Sequence, residues 1–406
     1  MQASRKTQFF VIFLTILLST IGFGVCIPVL PLYAERFGAT ELQNGMLTGV
    51  FSLMVFIASP LWGKLSDRFG RRPVLLLSVL GSAAGYFLMG WADSLALLFV
   101  ARIIDGASGG NVAAAQAYIA DITKAEERSK AMGLIGAAFG LGFIIGPAIG
   151  GIMTSISPHA PFYAVGILCI INAVLVWTSL PESLTPEKRS SSSHQLPLKA
   201  VVQHSDSRLF FTVAAGYFVC LAAFSIMTAV FSLFGEERYG LNERSIGYIM
   251  AAIGFVGVLM QGGMIRRLLP RFGEVKLARA GMVFLLVSFI LLPLAGSITT
   301  LVIVSCLIAV GNSLVQPTLN GLASRSVEAE WQGRAMGLLQ SFASLGRAIG
   351  PLLGGWLLGL DRGQAHYGRT PFWVAAFLML ITLVLAAWLR SPQTPSQDPA
   401  LESTVV

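Results

Sequence analysis

Long apolar runs alternate with short polar breaks along almost the whole chain. Twelve runs stand out, at 8–33, 43–63, 73–92, 95–121, 131–155, 161–180, 209–234, 245–265, 277–296, 299–324, 335–359 and 370–389. A helix needs about 20 such residues to cross roughly 30 Å of hydrocarbon. The pattern therefore predicts an all-α polytopic membrane protein with twelve transmembrane helices. Composition points the same way: of 406 residues, 55% are hydrophobic and 12% charged, whereas soluble domains carry about 25% charged residues. The first run follows a short basic start, MQASRK. It is longer than a signal-peptide core and has no evident cleavage site, so it is expected to remain as a span.

The polar breaks carry the orientation. Of 28 Lys and Arg, 21 fall on the side that holds both termini, five on the other (Arg36, Arg238, Arg244, Arg362, Arg369) and two inside spans. Basic residues favour the cytoplasmic side, so both termini are expected there. The net charge of +8 is thus topological and implies no nucleic-acid partner. Four cysteines sit singly in different runs, with no metal-ligand or redox spacing. There is no phosphate-binding Gly-Lys-Ser/Thr loop, and the four histidines are scattered, which argues against an enzyme.

The chain repeats itself. LGFIIGPAIGG at 141–151 returns as LGRAIGPLLGG at 345–355, and AEERSKAMGL at 125–134 returns as AEWQGRAMGL at 329–338. Two halves of equal orientation follow: a six-helix bundle at 1–180, a Ser/Pro-rich cytoplasmic linker at 181–208, a second bundle at 209–390 and a tail at 391–406. Gly142, Gly146 and Gly150 recur every four residues, a smooth stripe that lets another helix come close. Gly151 follows, and Pro147 bends the helix. Two readings stay open: tight packing of any kind, or a hinge-like interface with the counterpart helix of the other half.

Three charges lie deep in spans, where a charge costs at least about 2.5–3.5 kcal/mol. Arg102 and Asp105 are neighbours on one helical face. They form a structural ion pair or a switch, in which Asp105 holds either a proton or Arg102. Arg347 replaces Phe143 of the first copy and is expected either to contact substrate in a cavity or to anchor to carbonyls between helices. Uncharged polar residues, among them Asn111, Gln116, Tyr217, Asn312, Gln316, Asn320 and Gln340, line a cavity or hydrogen-bond between helices. Phe224, Met227 and Phe231 share one face of span seven and line an apolar cavity or pack in the core.

These motifs resemble the major facilitator superfamily, in particular its twelve-span drug:proton antiporters, which include the tetracycline efflux proteins. GKLSDRFGRRP (63–73) is similar to the loop signature after span two, RIIDG (102–106) to the span-four proton motif, GFIIGPAIGG to the span-five antiporter signature, and LPES (180–183) to the end of span six. The resemblance implies proton-coupled export of amphipathic small molecules by alternating access. The proton gradient would be the energy source, with no cofactor, in a monomer of a bacterial inner membrane. A transporter of an endogenous metabolite, siderophore or lipid is the alternative.

The resemblance also assigns roles. Asp105 and Arg102 would couple protons. Gly63, Asp67, Arg68, Gly70, Arg71, Arg72, Asp121 and Arg128 would form a cytoplasmic latch, with Asp67 capping the start of span eleven in the outward-open state. The second copy of the loop, GGMIRRLLPRFGEVK, keeps Arg271, Phe272 and Gly273 without the acid of the first. Tetracycline exporters carry acids in spans one and three where this chain has Ser19 and Gly85.

Overall fold

The computed structural model describes residues 5–123, 125–184, 206–328, 331–364 and 366–389, with only the backbone for 125–133, 333 and 334. Most of the expected linker, the tail from 391 and the Arg128 side chain lie outside the described residues.

The first half comprises α1 (Arg5–Glu35), α2 (Glu41–Phe69), α3 (Arg71–Trp91), α4 (Leu95–Ala107), α5 (Asn111–Ile122), α6 (Ala125–Met153) and α7 (Ala160–Ser179). The second comprises α8 (Ser207–Tyr239), α9 (Glu243–Leu259), α10 (Ile265–Leu291), α11 (Ile298–Arg325), α12 (Gln332–Leu360) and α13 (Arg369–Ala386). No strand is present among the described residues. Helices are the open-ended element that satisfies every backbone group without water, which is what hydrocarbon demands. Polar caps at the span ends fix where they start: Thr40 and Gln43 form a capping box on α2, and Asp206, Asn242 and Ser297 accept from backbone N–H groups of α8, α9 and α11.

Among the described residues ten stretches qualify as spans by length and apolarity, one of them the 52-residue Glu243–Leu294. That stretch would be about 78 Å long as one helix, more than twice the hydrocarbon thickness. It is broken at Gly273, whose φ of 74° and ψ of 165° are not helical, and so holds two apolar helices. Span four departs from the expected single helix: it is α4 and α5, interrupted at 108–110.

Among the described residues the two halves are joined by ion pairs on the side away from the termini. Arg36 pairs with Glu243 at 3.0 Å and Glu41 with Arg362 at 3.4 Å, each across the halves. Below this rim α2 lies on α12 and α6 on α9 through glycines. A methyl group at Gly247 would stand 2.5 Å from the Pro147 carbonyl oxygen, and one at Gly254 would stand 2.7 Å from that of Phe143. Gly45 is pressed against the Pro351 carbonyl in the same way. Towards the side of the termini this contact is lost: Gly63, Gly136 and Gly337 face open space. The bundle is closed on the rim side and open on the terminal side.

Candidate functional site

The glycine stripe does not face the other half. Gly142, Gly146 and Gly150 lie on Thr20, Ile21, Gly24 and Val25 of α1, within their own half. Gly346, Gly350 and Gly354, each 204 positions on, lie in the same way on Phe218, Ala222, Ser225 and Ile226 of α8. The hinge-like expectation is corrected accordingly: periodic glycines fasten α6 to α1. Contact with the opposite half falls instead to Gly151, against Glu243 and Arg244, and to the carbonyl of Pro147. A proline at 147 leaves the carbonyl four residues earlier, that of Phe143, without its helical donor, and Gly254 of α9 abuts that carbonyl.

The buried charges come together as a pair. Arg102 and Asp105 are 1% and 4% exposed, and Arg102 Nη1 lies 3.0 Å from Asp105 Oδ2. The Arg102 Nε donates to the Leu47 carbonyl of α2 at 3.3 Å, and its guanidinium stacks 4.1 Å above the Phe51 ring. Ser82 and Tyr86 of α3 lie beside the Asp105 carboxylate. Gly85 stands between those two, and a methyl group there would be 2.9 Å from the Asp105 Cβ. The span-three position that is acidic in tetracycline exporters is thus covered by α4, through the Asp105 Cβ and the Ala101 carbonyl. Ser19, at the equivalent position of span one, receives a hydrogen bond from Asn111 at 2.5 Å.

The break in span four follows Asp105 by three residues. Its freed carbonyls are taken up by side chains: Trp62 Nε1 donates to Ala107 O at 2.6 Å, and Ser78 Oγ donates to Ser108 O. A discontinuous helix that places free backbone groups next to a buried ion pair is a common way to build a transport site. Ser108-Gly109-Gly110 is a turn signal in the sequence, hidden because the apolar run continues on both sides. Arg102 also reaches the boundary between the halves. With Phe23, Cys26, Ile27, Pro31, Thr48 and Thr228 it lines a cavity of about 20 Å³, room for about one water molecule.

On the terminal side Asp67 does not cap span eleven. Its partner is Arg71, in its own half, at 2.6 Å, and α12 starts without a side-chain cap. The reason is the opening between the halves at this end. Arg71 also pairs with Asp121 at 3.1 Å. Gly70 has a φ of 109°, and the turn it makes lets Glu182 accept from the backbone N–H groups of Arg71 and Arg72. Glu182 therefore ties the end of α7 to the positive N-terminus of α3, a role that spacing did not reveal. Arg72 donates to the Trp177 carbonyl, whereas the Arg68 guanidinium lies over its neighbour Phe69. In the second copy Glu274 stands where the first has Arg71, and it pairs with Arg325 at 3.2 Å. Arg325 is 204 positions beyond Asp121, so the link is kept with its charges exchanged.

The cavity candidates divide. Met227 and Phe231 are 1% and 0% exposed in the core of the second half, with Phe224 packed against it. Met227 is thus corrected to a packing residue, and Thr228 is the α8 side chain that meets the central cavity. Gln316 donates to Asn312 at 3.0 Å within α11, and Asn320 donates to Tyr217 OH at 3.4 Å. Gln116 is exposed in α5 and Gln340 in α12.

The sequence profile of the Major Facilitator Superfamily matches residues 12–342 and 264–405. The chain belongs to the major facilitator superfamily. This major facilitator protein is 35% identical over 393 residues to the tetracycline resistance protein, class C, of Escherichia coli, covering 94% of this chain and 97% of that one. It is 31% identical over 386 residues to multidrug resistance protein 2 of Bacillus subtilis (strain 168), covering 94% of each. Its structure is similar to that of the human organic anion transporter MFSD10 (TETRAN), with a TM-score of 0.72 and 26% identity over 95% of this chain and 100% of that one. Major facilitator proteins are membrane transporters rather than enzymes, and this chain is one of them.

Proposed function

We propose that the protein exports amphipathic small molecules, drugs among them, across a bacterial inner membrane in exchange for protons. The gradient is the energy source, no cofactor takes part, and one chain suffices because its two halves enclose the path. The observation that carries this reading is the Arg102–Asp105 pair: buried, next to the break in span four, with Arg102 on the cavity between the halves. Similarity to proteins named for tetracycline and multidrug resistance favours drugs over an endogenous metabolite, siderophore or lipid.

With both termini cytoplasmic, as the basic loops imply, the conformation described is open to the cytoplasm and ready to load. Asp105 holds Arg102 when ionised. A proton arriving on Asp105 removes the charge that holds the guanidinium, which leaves Arg102 to its contacts with Leu47 and Phe51 on α2. Because α2 carries the closing contact with α12, protonation at α4 reaches the gate through one helix. Opening to the outside then requires the terminal ends to close, where Asp67, 41% exposed at its side chain, becomes available to the start of α12.

The test is proton release from purified protein in detergent on addition of cationic, neutral and anionic amphipathic compounds. The expected outcome is a substrate-dependent release that is lost in Asp105→Asn. Binding with unchanged proton uptake in the wild type would remove proton exchange from the account.

A further inference from the structure

The lone arginine of the second half has a setting that the proton pair does not explain. On α12 each residue advances by about 100°. Ile349, Leu352, Trp356 and Leu360 are exposed and apolar, and they form the lipid-facing stripe. Gln340, Ser344 and Arg347 fall within a sector of about 60°, centred about 150° away from that stripe. Gln340 is exposed and the other two are half-buried. Further along the helix the neighbouring positions Ala348, Pro351 and Gly355 carry the closing contact with α2. The polar face thus lies just below the closed gate and looks into the space that opens towards the terminal side.

Arg347 is not neutralised there. Its hydrogen-bond partner is Ser344 Oγ at 3.1 Å, and among the described residues no carboxylate lies within ion-pair distance. Nor does it anchor to carbonyls: those that α8 presents to α12, at Phe218 and Ala222, abut Gly346 and Gly350. A charge left unpaired at this depth is costly, and the cost is offset when a ligand brings the opposite charge. Tyr217 lies near Arg347, and Asn320, which donates to Tyr217, keeps a buried Oδ1 with no partner among the described residues. The equivalent place in the first half is apolar, with Phe143 edge-on to Phe23 at 5.9 Å and Phe23 against Phe51 at 5.8 Å.

The geometry points to an anion subsite at Arg347, with Gln340 and Ser344 beside it, that receives the carboxylate or sulfonate of an amphipathic substrate whose apolar body lies against Phe23, Phe51 and Phe143. This inference rests on the transporter reading and narrows its substrate class to organic anions and zwitterions. A guanidinium suits the role because its planar donors match a carboxylate in pairs.

The experiment measures binding to the full chain in nanodiscs of three probes on one skeleton: naphthoxyacetate, its neutral methyl ester and naphthoxyethylamine. In the wild type the carboxylate should bind more tightly than the ester. In Arg347→Ala and Arg347→Gln that preference should fall by roughly tenfold or more, as expected for loss of a hydrogen bond to a charged group. Arg347→Lys should keep part of it. The two neutral variants, with thermal unfolding read in parallel, serve as alternatives if one does not fold. A carboxylate-to-ester ratio that is unchanged in the folded neutral variant would overturn the subsite. Gradient-driven export of tetraphenylphosphonium and of naphthoxyacetate from wild-type vesicles is read separately. Failure there with an intact Arg347-dependent ratio would count against export and leave the subsite standing.

Discussion

The two copies of the glycine-proline phrase do the same mechanical work and opposite chemical work. In the first half Gly142, Gly146 and Gly150 fasten α6 to α1, and in the second Gly346, Gly350 and Gly354 fasten α12 to α8. Pro147 meets Gly247 across the halves, and Pro351 meets Gly45, whose position is 202 residues earlier than Gly247. The charges do not follow this symmetry. The first half closes its charge on itself as Arg102–Asp105, whereas the second leaves Arg347 without an acid among the described residues. At the terminal side Arg71–Asp121 becomes Glu274–Arg325. Backbone approach fixes where glycine must stand, because any side chain would strike a carbonyl. An ion pair asks only for opposite signs at the right distance. The repeat therefore conserves contacts of the main chain and lets chemistry diverge.

The comparison can be broken most severely at Asp105. Asp105→Asn gives the first half an unpaired arginine like that of the second. Removing one member of a buried pair costs about 3–5 kcal/mol, so stability should fall measurably. Uphill export driven by a pH gradient should be abolished, while exchange of labelled substrate without a gradient persists in the protein that folds. Retained uphill export would place coupling elsewhere.

Next in size are the stripes. Gly146→Leu and Gly350→Leu should each destabilise their own half by about 2–3 kcal/mol through overpacking, seen as a lower unfolding temperature of similar size in both. A loss confined to one of them would show that the two fastenings are not equivalent. Gly247→Leu and Gly45→Leu act between the halves, so folding should be spared. Raising the closed state by about 2 kcal/mol lowers the ratio of closed to open by roughly thirtyfold, and labelling of cysteines introduced on the rim side should rise in both variants. The smallest effect is expected at Asp67. Its exposed pair with Arg71 is worth about 0–1 kcal/mol, so Asp67→Asn should leave unfolding unchanged and slow transport, measured at matched expression.

Much of this was legible in the chain. Apolar length and the bias of Lys and Arg set the class of the fold, and the offset of 204 revealed the duplication. The periodic glycines showed which face is smooth, yet a smooth face does not name its neighbour, and the stripe proved to pack within its own half. The break in α4–α5 was signalled by Ser108-Gly109-Gly110 but masked by continuous hydropathy, since Trp62 and Ser78 satisfy the freed carbonyls from other helices. Met227 showed the period of a helix face without showing which neighbour that face would meet. Glu182 escaped notice because its partners at Arg71 and Arg72 are more than a hundred residues away, and no local spacing connects them. Arg347 was conspicuous in the sequence as a broken symmetry. Only the packing of α12 shows that its face lies under the gate.

The rim that closes the far side is held by ion pairs whose basic members are largely in water: the side chains of Arg36 and Arg362 are 49% and 68% exposed. Such pairs weaken as dissolved ions accumulate around them, with a screening length of about 8 Å at physiological ionic strength and roughly 3 Å in strong brine. With both termini cytoplasmic, as proposed above, the rim faces the outer medium, and the resting balance between the two openings would be tied to the salinity of that medium. A briny medium would leave the outer door less firmly shut, by a few tenths of a kcal/mol per pair, and a dilute one would hold it tighter.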